Sequence, residues 1–435
     1  MKETKKAHQP SPRTCRTAIK PRRRERGAVL AIALMVSVFL VILAIPFMTK
    51  LGGRYRTTEK AHAALAALNL AEAGVDRGIW EMKYGDISTW SGTTSQRTLA
   101  MSGVQASGGA VVGNISVIVF NPGAVNPVLE STGMVALTGS ATVSRTVRVV
   151  LQPTPLFNYG AFGATSVNLS NLASTDSYNS QIGAYGGSNV GAEGDVGTNS
   201  TAAGAIIVNN NATVNGDAVV GTLGDPATGI VTGSGATITG TRTAESENKD
   251  MPSVPAPTGL ANCGNLSVAI GGTQTISASG QYGNITVNNN AILNISVDCT
   301  LYITGTLTLS NNSQLNITNG ARVQIYFGGN WSIDNNSTIN NLSQDPTNLI
   351  MYGTDTFTGS HTFSNNTATY AAMYFPKADI TIYNNGAIYG SVIAKSVALA
   401  NNADIHFDEA LLNVQPNFVT GASGVKVQTW QEKII

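Results

Sequence analysis

Residues Asn284–Val297 read NITVNNNAILNISV. Ile285 and Val287 alternate with polar residues before the asparagines, and Ile292 and Ile295 follow on the other side. Alternation with a period of two is typical of a β-strand with one buried face. Asparagine tolerates the left-handed backbone of a tight turn, and its amide can bond to a neighbouring strand. The stretch therefore predicts two short strands joined by an asparagine turn.

The same unit recurs along the C-terminal half of the chain. Apolar pairs precede and follow asparagine pairs that are spaced at roughly 20 residues, as expected for the coils of a β-solenoid. One unit cannot bury its apolar face alone, whereas stacked units share a core. A β-sandwich gives similar local alternation, but the recurrent turn favours the solenoid. The pairs are Asn209/Asn210, Asn288/Asn289, Asn311/Asn312, Asn335/Asn336, Asn365/Asn366, Asn384/Asn385 and Asn401/Asn402.

The predicted fold class is mainly β, and its largest domain is a parallel β-helix-like solenoid over residues 157–420. Residues 241–262 interrupt the repeat with clustered charges and three prolines, which predicts an exposed linker or insertion. The residues before and after this linker could stack as one body or as two. Residues 421–435 form a predicted tail.

A membrane segment precedes these domains. Residues 27–48 are 22 residues without a charge, which as a helix would reach about 33 Å and cross a bilayer. Basic residues cluster before this run, so the positive-inside rule places residues 1–26 in the cytoplasm and everything after Lys50 outside. A cleaved secretory signal is the alternative, but no A-x-A site follows Met48.

Residues 49–84 continue as an extracytoplasmic helix. Their apolar residues recur at steps of three or four, which predicts one buried stripe: Leu65, Leu68, Ala71, Val75, Ile79 and Met82. A small β module over residues 85–156 follows, with predicted strands at Asn114–Phe120 and Val143–Leu151.

Charge is distributed unevenly along the chain. Residues 1–26 contain ten Lys/Arg and two acids, whereas residues 157–435 contain seven Lys/Arg and 17 acids. A basic patch can bind nucleic acid, but this one adjoins the apolar run and indicates topology instead. We therefore expect no nucleic acid partner. Charged residues make up only 12% of the chain, which is typical of a polar, β-rich extracellular protein.

The stretch ending RERG, the apolar run AVLAIALMV and ALAALNLAEAGVDRGIWEM together resemble the N-terminus of PilX-type pilus assembly proteins, which are minor pilin-like components of type IV pili. The motif Ala71, Glu72, Ala73, Gly74 carries part of this likeness. The resemblance implies an inner-membrane location, other pilin subunits and pilus assembly components as partners, and a short sheet after the long helix.

The same resemblance implies a candidate prepilin cleavage between Gly27 and Ala28. Ordinary type IV pilins have Glu at the fifth mature position, where this chain has Ile32. The departure removes a charge that pairs with a neighbour's N-terminal amine. It indicates a special place in a fibre, such as the tip.

The C-terminal part, residues 372–411, resembles a domain of uncharacterised function at the end of pilus-associated proteins. The likeness supports an envelope role and implies little chemistry. The residues that carry it are Phe375, Pro376, Ala378, Gly390, Ala394, Lys395 and His406 through Ala410.

Parallel β-helices host polysaccharide lyases and hydrolases, whose sites use clustered carboxylates. The best candidate constellation is His406 with Asp408, which share one strand face. Three other carboxylates could approach them across coils: Asp379, Asp404 and Glu409. A solvated cap at the end of the solenoid explains these residues better, so we predict no catalytic site. No paired His spacing, CxxC motif or phosphate loop occurs, and we predict neither a metal nor a cofactor.

Cys263 and Cys299 fall in the predicted outer domain. An oxidising compartment would allow them to form a disulfide, although two buried free thiols are also consistent with the sequence. The disulfide is a candidate only.

The sequence thus predicts a pilus assembly or minor pilin-like surface protein, structural rather than enzymatic. Its solenoid would present an Asn/Ser/Thr-rich face that adheres to glycans or neighbouring cells. Two alternatives stay open. One is a membrane-tethered, polysaccharide-active β-helix enzyme, and the other is a solenoid scaffold that polymerises end to end in the envelope.

Overall fold

The computed structural model describes residues 25–433 except 107–110, 123, 125, 139–140, 319, 335, 365–367 and 415–424. Most of the basic head, residues 1–24, therefore lies outside the described residues, and so does the pair Asn365/Asn366. The chain divides into two compact units. The first is Met1–Ala71, Met101–Ile115 and Thr132–Arg145, and the second is Glu72–Ala100, Ser116–Ser131 and Thr146–Ile435.

Helix α1, Glu25–Tyr84, contains 60 residues and includes both the predicted membrane segment and its extension. It is long and apolar enough to cross a membrane, judged by length and composition. Pro46 lies inside it. The apolar stripe of the extension differs at one end from the prediction. Leu65 is 59% exposed, whereas Ala67 and Leu70 are buried.

A six-stranded sheet follows the helix, with strand order β1-β2-β3-β4-β5-β30. Both strands predicted for the β module are present in it, as β3 and β5. Inward residues of β3 alternate as predicted, because Ile115, Val117 and Val119 are all buried. The strands are β1 Ser91–Thr93, β2 Gln96–Gln105, β3 Val112–Phe120, β4 Val128–Ala136, β5 Thr142–Pro153 and β30 Val425–Lys433. A short 3-10 helix, Ile87–Thr89, precedes β1.

Strand β30 lies within the segment that the sequence assigned to a tail. It pairs antiparallel with β5, from Val425 opposite Pro153 to Lys433 opposite Thr146. Lys433 also lies 3.6 Å from Glu130 on β4. The C-terminal strand thus returns to the sheet formed before the repeats. No local sequence pattern shows this, because its partner lies far away in the chain.

The repeats form a second set of strands, here called the parallel stack (residues 161–244 and 262–408). Its N-terminal part contains β6 Ala161–Ser170, β7 Ser174–Tyr178, β8 Val196–Thr198, β9 Ile206–Val208, β10 Thr213–Val214, β11 Ala218–Val220, β12 Ile230–Thr232, β13 Thr237–Ile238 and β14 Arg242–Ala244. A four-residue helix, α2 Pro226–Gly229, precedes β12.

The C-terminal part of the parallel stack begins after residue 261. Its strands are β15 Asn262–Val268, β16 Thr273–Ile276, β17 Gly280–Val287, β18 Ile292–Ile295, β19 Cys299–Ile303, β20 Leu307–Leu309, β21 Gln314–Ile317, β22 Val323–Phe327, β23 Trp331–Ile333, β24 Thr338–Asn341, β25 Leu349–Gly353, β26 Gly359–Ser364, β27 Ala368–Tyr383, β28 Ala387–Ala400 and β29 Asp404–Asp408. Two 3-10 helices, Pro346–Asn348 and Glu409–Asn413, lie at turns.

Strands of the stack pair in parallel with strands one repeat away. Cys299 of β19 lies opposite Val323 of β22, which lies opposite Leu349 of β25. Two further ladders run alongside, through β20 and β23 and through β21 and β24. Most strands belong to one 20-stranded sheet, and β16, β18, β21 and β24 form a separate parallel sheet. The architecture is therefore mainly β, with large parallel sheets.

The order of the strands in space differs from their order in the chain. The last long strands, β28 and β29, pair in parallel with β6 and β7, which begin the stack in sequence. Residues 161–244 thus continue the stack beyond its C-terminal strands. The two parts that flank the linker share one sheet.

Asparagines occupy left-handed turns, as predicted. Asn384, Asn401, Asn171 and Asn210 have φ values of 54°, 55°, 54° and 49°. Their side chains form a ladder in which the amide group of each asparagine after the first donates to the side-chain oxygen of the one before it, at 3.2, 3.0 and 3.0 Å. This ladder crosses the junction between β28 and β6. The predicted role of asparagine, in the turn and between neighbouring turns, is confirmed.

The core of the stack is a continuous column of inward side chains, mainly Val, Ile and Leu. Leu301, Ile325, Met351 and Met373 are buried at successive positions of one ladder. Burying each such side chain contributes about 1.5–3 kcal/mol relative to exposure. Because every repeat buries its residues against the next, stability comes from stacking.

Most residues of the linker 241–262 are exposed or half-buried, and Val254 is the buried exception among them. Val254 is fully buried, against Tyr326, Tyr352 and Tyr374 on the outer side of one ladder. Tyr374 donates a hydrogen bond to the carbonyl oxygen of Pro252 at 2.7 Å. We call residues 245–261 the strap. Its prolines suit an extended segment that makes no ladder hydrogen bonds.

Candidate functional site

The N-terminal half of α1 exposes apolar side chains all around. Leu30, Phe39 and Ile42 are 74%, 62% and 59% exposed. Water-exposed apolar surface of this extent is unfavourable and marks a site for lipid or for other apolar helices. Many of the exposed large apolar side chains among the described residues lie between Val29 and Leu51.

Within the first unit, α1 packs closely on strand residues. A Cβ added at Gly133 of β4 would lie 2.0 Å from the carbonyl oxygen of Ala67 and 2.7 Å from the amide nitrogen of Ala71. A Cβ at Gly113 of β3 would lie 2.5 Å from Leu70. Glycine is needed here because the helix backbone touches the strands. The contact is built by small residues on both sides.

The second unit repeats this packing further along the helix. A Cβ added at Gly78 would lie 2.4 Å from Leu129 and 3.1 Å from Val117. Val75 and Met82 are buried on the same part of the helix. The C-terminal half of α1 is thus held by the chain itself, while the N-terminal half keeps its apolar surface exposed.

The predicted motif and cleavage residues lie in α1. Ala71 is fully buried and Gly74 is buried, whereas Glu72 and Ala73 are exposed. Gly27 and Ala28 belong to the helix, but their side chains lie outside the described residues. Cleavage after Gly27 stays a prediction.

A cluster of aromatic and charged residues forms at the junction of β29 with β7. Tyr370, Tyr389, His406 and Asp176 occupy four successive positions of one ladder. Tyr185, from the loop after β7, lies over His406 with ring centroids 4.0 Å apart. We call these five residues the His406 cluster.

Hydrogen bonds join the members of the His406 cluster. The Nδ1–H of His406 donates to Oδ1 of Asp176 at 2.6 Å, and the Tyr185 hydroxyl donates to Oδ2 at 2.6 Å. Tyr370 and Tyr389 stack with centroids 4.3 Å apart. Burial raises the pKa of the Tyr185 hydroxyl, and the hydrogen bond to Asp176 adds to this effect. The tyrosine therefore stays neutral, and Asp176 accepts from two donors.

The predicted carboxylates do not converge on His406. Each instead accepts hydrogen bonds from a different partner. Asp404 accepts from the Ser174 hydroxyl at 2.6 Å, Glu409 from Ser177 at 2.9 Å, and Asp379 from Ser396 at 2.6 Å.

Asp408 caps the 3-10 helix that follows β29. It accepts from the amide nitrogens of Ser180 at 2.9 Å and Ala410 at 3.1 Å. Burial raises the pKa of the Asp408 carboxyl, and these hydrogen bonds oppose the rise. Among the four carboxylates, Asp404, Asp408 and Glu409 join the last repeat to residues 174–180. The arrangement is suited to fastening two parts of the stack together.

The cysteines of the candidate disulfide carry free thiols. Cys263 is exposed at the start of β15, and Cys299 is buried in the stack core. Burial raises the pKa of the Cys299 thiol to about 11, which keeps it protonated. The structure does not join the two residues, and their pairing under oxidising conditions stays a prediction.

Within the described residues, no group of three or more His, Cys, Asp or Glu side chains is placed to hold a metal. His361 packs on Phe357 instead, with ring centroids 4.0 Å apart, and its ring Nε2 lies 3.0 Å from the carbonyl oxygen of Thr358. Burial lowers the pKa of His361. This histidine is part of the packing at β26.

Sequence reasoning found His406 but missed its partners. Asp176, Tyr185, Tyr370 and Tyr389 are distant in the chain, and only the strand register brings them together. Tyrosines at equivalent positions of neighbouring repeats were a usable signal, because parallel in-register strands place identical side chains next to one another. Lys249 in the strap was also missed.

Three comparisons with known proteins complete the description. A family described as a domain of unknown function (DUF7305) matches residues 242–414, which include the C-terminal segment that the sequence singled out. No curated protein matches the chain. Among solved structures, the competence-associated pilin ComZ from Thermus thermophilus is similar at 10% identity and a TM-score of 0.20, over 86% of this chain and 97% of that chain. A likeness of this size supports no conclusion about fold or function.

Proposed function

We propose that the chain is a membrane-anchored, pilin-like surface subunit whose parallel stack is a β-solenoid held outside the membrane. The single observation that carries the proposal is that the two halves of α1 differ in the exposure of their apolar side chains. Its N-terminal half exposes apolar side chains such as Leu30 and Phe39, while Ala67 and Leu70 are buried in the same helix. Such a helix is suited to sit first in a bilayer and then among the helices of sister subunits.

The β-solenoid inference rests on the strand pairings. Three parallel ladders repeat along the chain, asparagine turns separate the strands, and one apolar core runs through the repeats. Each of these is a property of solenoids. The DUF7305 match adds no chemistry to this inference.

Orientation follows from charge. The basic residues before α1 favour a cytoplasmic N-terminus, and the stack would then lie in the periplasm or on the cell surface. The exposed Cys263 tests this directly, because Cys15 lies on the opposite side of α1 in the sequence. A membrane-impermeant maleimide, added to reduced spheroplasts, should label Cys263 and leave Cys15 of any chain that retains residues 1–26 unlabelled until lysis.

Two variants are matched controls for this labelling. Cys263→Ser should lose the signal from intact spheroplasts, and Cys15→Ser should keep it. Buried Cys299 should react only after denaturation. Labelling of Cys15 before lysis, with Cys263 protected, contradicts the orientation.

Adhesion to glycans or neighbouring cells is the further function that we propose for the stack. Its outer positions are rich in Asn, Ser and Thr, and uncharged polar groups suit hydrogen bonding to sugar hydroxyls. A chain that lacks residues 157–420 should remain in the membrane but fail to attach cells to a surface. Attachment at the level of the intact chain would contradict adhesion.

We also propose that the protein is structural and not an enzyme. The carboxylates near His406 each serve a separate hydrogen bond, and Asp408 caps a 3-10 helix. If the chain were a tethered polysaccharide-active enzyme, the purified protein would cleave a polymer and Asp408→Asn would abolish the cleavage. Polymerisation as an envelope scaffold would appear as concentration-dependent filaments of the purified protein.

A further inference from the structure

The start of the strap is fixed to the N-terminal repeats through its backbone. The amide nitrogen of Lys249 donates to Oδ1 of Asn199 at 2.8 Å, and the Asn199 side chain donates to the carbonyl oxygen of Lys249 at 2.8 Å. This two-way bond sets the position of the Lys249 backbone. The Lys249 side chain extends from this fixed backbone towards Asn158.

The Lys249 side chain contacts the segment that precedes β6. The Lys249 ammonium group contacts Oδ1 of Asn158 and lies 3.3 Å from the carbonyl oxygen of Pro155. The rings of Tyr159 and Phe162 lie 5.9 and 5.8 Å from Nζ. Both aromatic side chains are buried, at 5% and 0% exposure. The amine thus meets a carboxamide in an apolar surrounding.

Burial also changes the state of the amine. It lowers the pKa of Lys249 to about 7, and the negative charges of Glu245 and Asp250 oppose the shift. An unprotonated amine is the nucleophilic form of lysine. Near neutral pH a substantial fraction of Lys249 can therefore act as a nucleophile.

A carboxylate also acts on the amine through its charge. Glu245 accepts a hydrogen bond from the hydroxyl of Tyr159, the residue next to Asn158, and its charge acts on Lys249. A carboxylate can carry a proton from an amine to a leaving group. The site therefore holds a nucleophile, an acyl group and a proton carrier.

We propose that Lys249 and Asn158 form an intramolecular isopeptide bond after the chain folds. The bond would tie the strap to the beginning of the parallel stack, closing a loop between residues 91 positions apart. It would be a covalent modification of the protein by its own residues. The proposal is independent of the pilin-like role.

The atoms of the reaction balance without an oxidant or a co-reactant. Unprotonated Nζ of Lys249 attacks Cγ of Asn158, and the new Nζ–Cγ bond gives a tetrahedral intermediate. Glu245 takes a proton from Nζ and delivers it to the Asn158 amide nitrogen. The Cγ–Nδ2 bond then breaks, ammonia leaves, and a secondary amide remains. One amine and one primary amide are thus converted into one secondary amide and ammonia.

The test is the intact mass of the purified full-length chain, followed by tandem mass spectrometry of a tryptic digest. The expected mass is lower by one ammonia than the sequence mass of the same chain. Trypsin cannot cleave after an acylated lysine, so the digest should contain the peptide that carries Asn158 joined to an uncleaved peptide spanning Lys249.

Variants separate this bond from other losses of ammonia, such as succinimide formation at Asn-Gly sequences. Lys249→Arg and Asn158→Ala should each restore the full mass. Glu245→Gln should keep the fold, by circular dichroism, but leave the amine and the amide unreacted. Lys377→Arg, at an exposed lysine, is the matched control and should retain the loss.

Two results would overturn the proposal. One is a wild-type chain at its full sequence mass with trypsin cleavage after Lys249. The other is a loss of ammonia that persists in Lys249→Arg. The first result is measured on the wild-type chain alone, so the test stands even if a variant fails to fold.

Discussion

Asp176 and His406 lie 2.6 Å apart, from Oδ1 to Nδ1, although 230 residues separate them in the chain. Their hydrogen bond lies where the last strand of the repeats, β29, meets the second strand of the stack in sequence, β7. The two ends of the repeat region are therefore neighbours. The first repeat in sequence stacks on the last repeat. The strap, residues 245–261, connects the two parts of the stack along its outer side.

We expect this contact to couple the two parts of the stack. His406→Ala leaves the buried Asp176 carboxylate with one donor fewer, and loss of one partner of a buried charged hydrogen bond costs about 1–3 kcal/mol. A double-mutant cycle with Asp176→Ala, measured by urea unfolding, should give a coupling energy of about 0.5–3 kcal/mol.

The exposed pair Lys377 and Asp355 is the control for this cycle. Their Nζ and Oδ1 atoms lie 2.8 Å apart at the surface, with both side chains about half exposed. An exposed pair typically contributes about 0.2–1 kcal/mol. Equal coupling in both cycles would show that the Asp176–His406 contact does not hold the stack together.

Leu172 occupies a position where other turns have asparagine. Its φ is 65°, and its side chain is 58% exposed. At the matching turn one repeat away, Asn402 has a φ of 60°, and its backbone N–H donates to the carbonyl oxygen of Asn171. Left-handed backbone costs an ordinary residue about 1–2 kcal/mol, and asparagine less. Leu172→Asn should therefore raise the free energy of unfolding by a few tenths to about 1 kcal/mol.

The control for Leu172→Asn is Ile270→Asn. Ile270 is also exposed, at 75%, but it is absent from the left-handed positions among the described residues. It should show no comparable gain. Chemical denaturation of both variants, side by side, separates the backbone effect from the removal of an exposed apolar side chain.

Asp195 gives the stack a predicted pH dependence. Burial raises the pKa of its carboxyl to about 6, although Oδ1 accepts a hydrogen bond from the amide nitrogen of Asp217 at 2.7 Å. The unfolded value is about 3.9. Between these values the folded state binds the proton more tightly, so the free energy of unfolding should fall as pH rises from about 4 to about 6.

Asp195→Asn keeps the acceptor atom and removes the charge. The variant should be more stable than wild type above pH 6, with the advantage disappearing towards pH 4. Thermal unfolding across this pH range measures it, with the exposed Asp334→Asn as the matched control. An advantage that is constant with pH would refute the assignment to ionisation of Asp195.

Gly133 lies in the close contact between α1 and strand β4. A Cβ there would lie 2.0 Å from the carbonyl oxygen of Ala67. Overpacking of this kind typically costs about 1–3 kcal/mol. Gly133→Ala should lower the thermal unfolding temperature of the detergent-solubilised chain, whereas Gly183→Ala, with nothing within 4 Å of its added Cβ, should not.

Much of the fold was predictable because it is encoded locally. The apolar run of α1, the alternation in β3 and the asparagine turns each depend on residues close in the chain. The stacking of β6 on β28 was not predictable in this way, since no local pattern states which repeat is a neighbour of which. The pairing of β30 with β5 was hidden for the same reason.

The candidate site was predicted only in part. His406 stood out as a histidine in a strand, but Asp176 reaches it through the register of β29 with β7. Tyr185 belongs to a loop without a repeat pattern. Lys249 looked like one of several charges in an exposed linker. Its backbone bonds with Asn199 and its side-chain contact with Asn158 are visible only in the structure.

The measurement that tests the central claim most directly is to shear surface fibres from cells that produce the protein. The sheared fibres and the remaining cells are then each probed for the protein, and its N-terminal residue is determined by mass spectrometry. The account predicts that the protein is in the sheared fibre fraction and begins at Ala28. Retention in the inner membrane with residues 1–26 intact, while the fibres are removed, would contradict a pilin-like subunit and favour an anchored assembly factor or tethered enzyme.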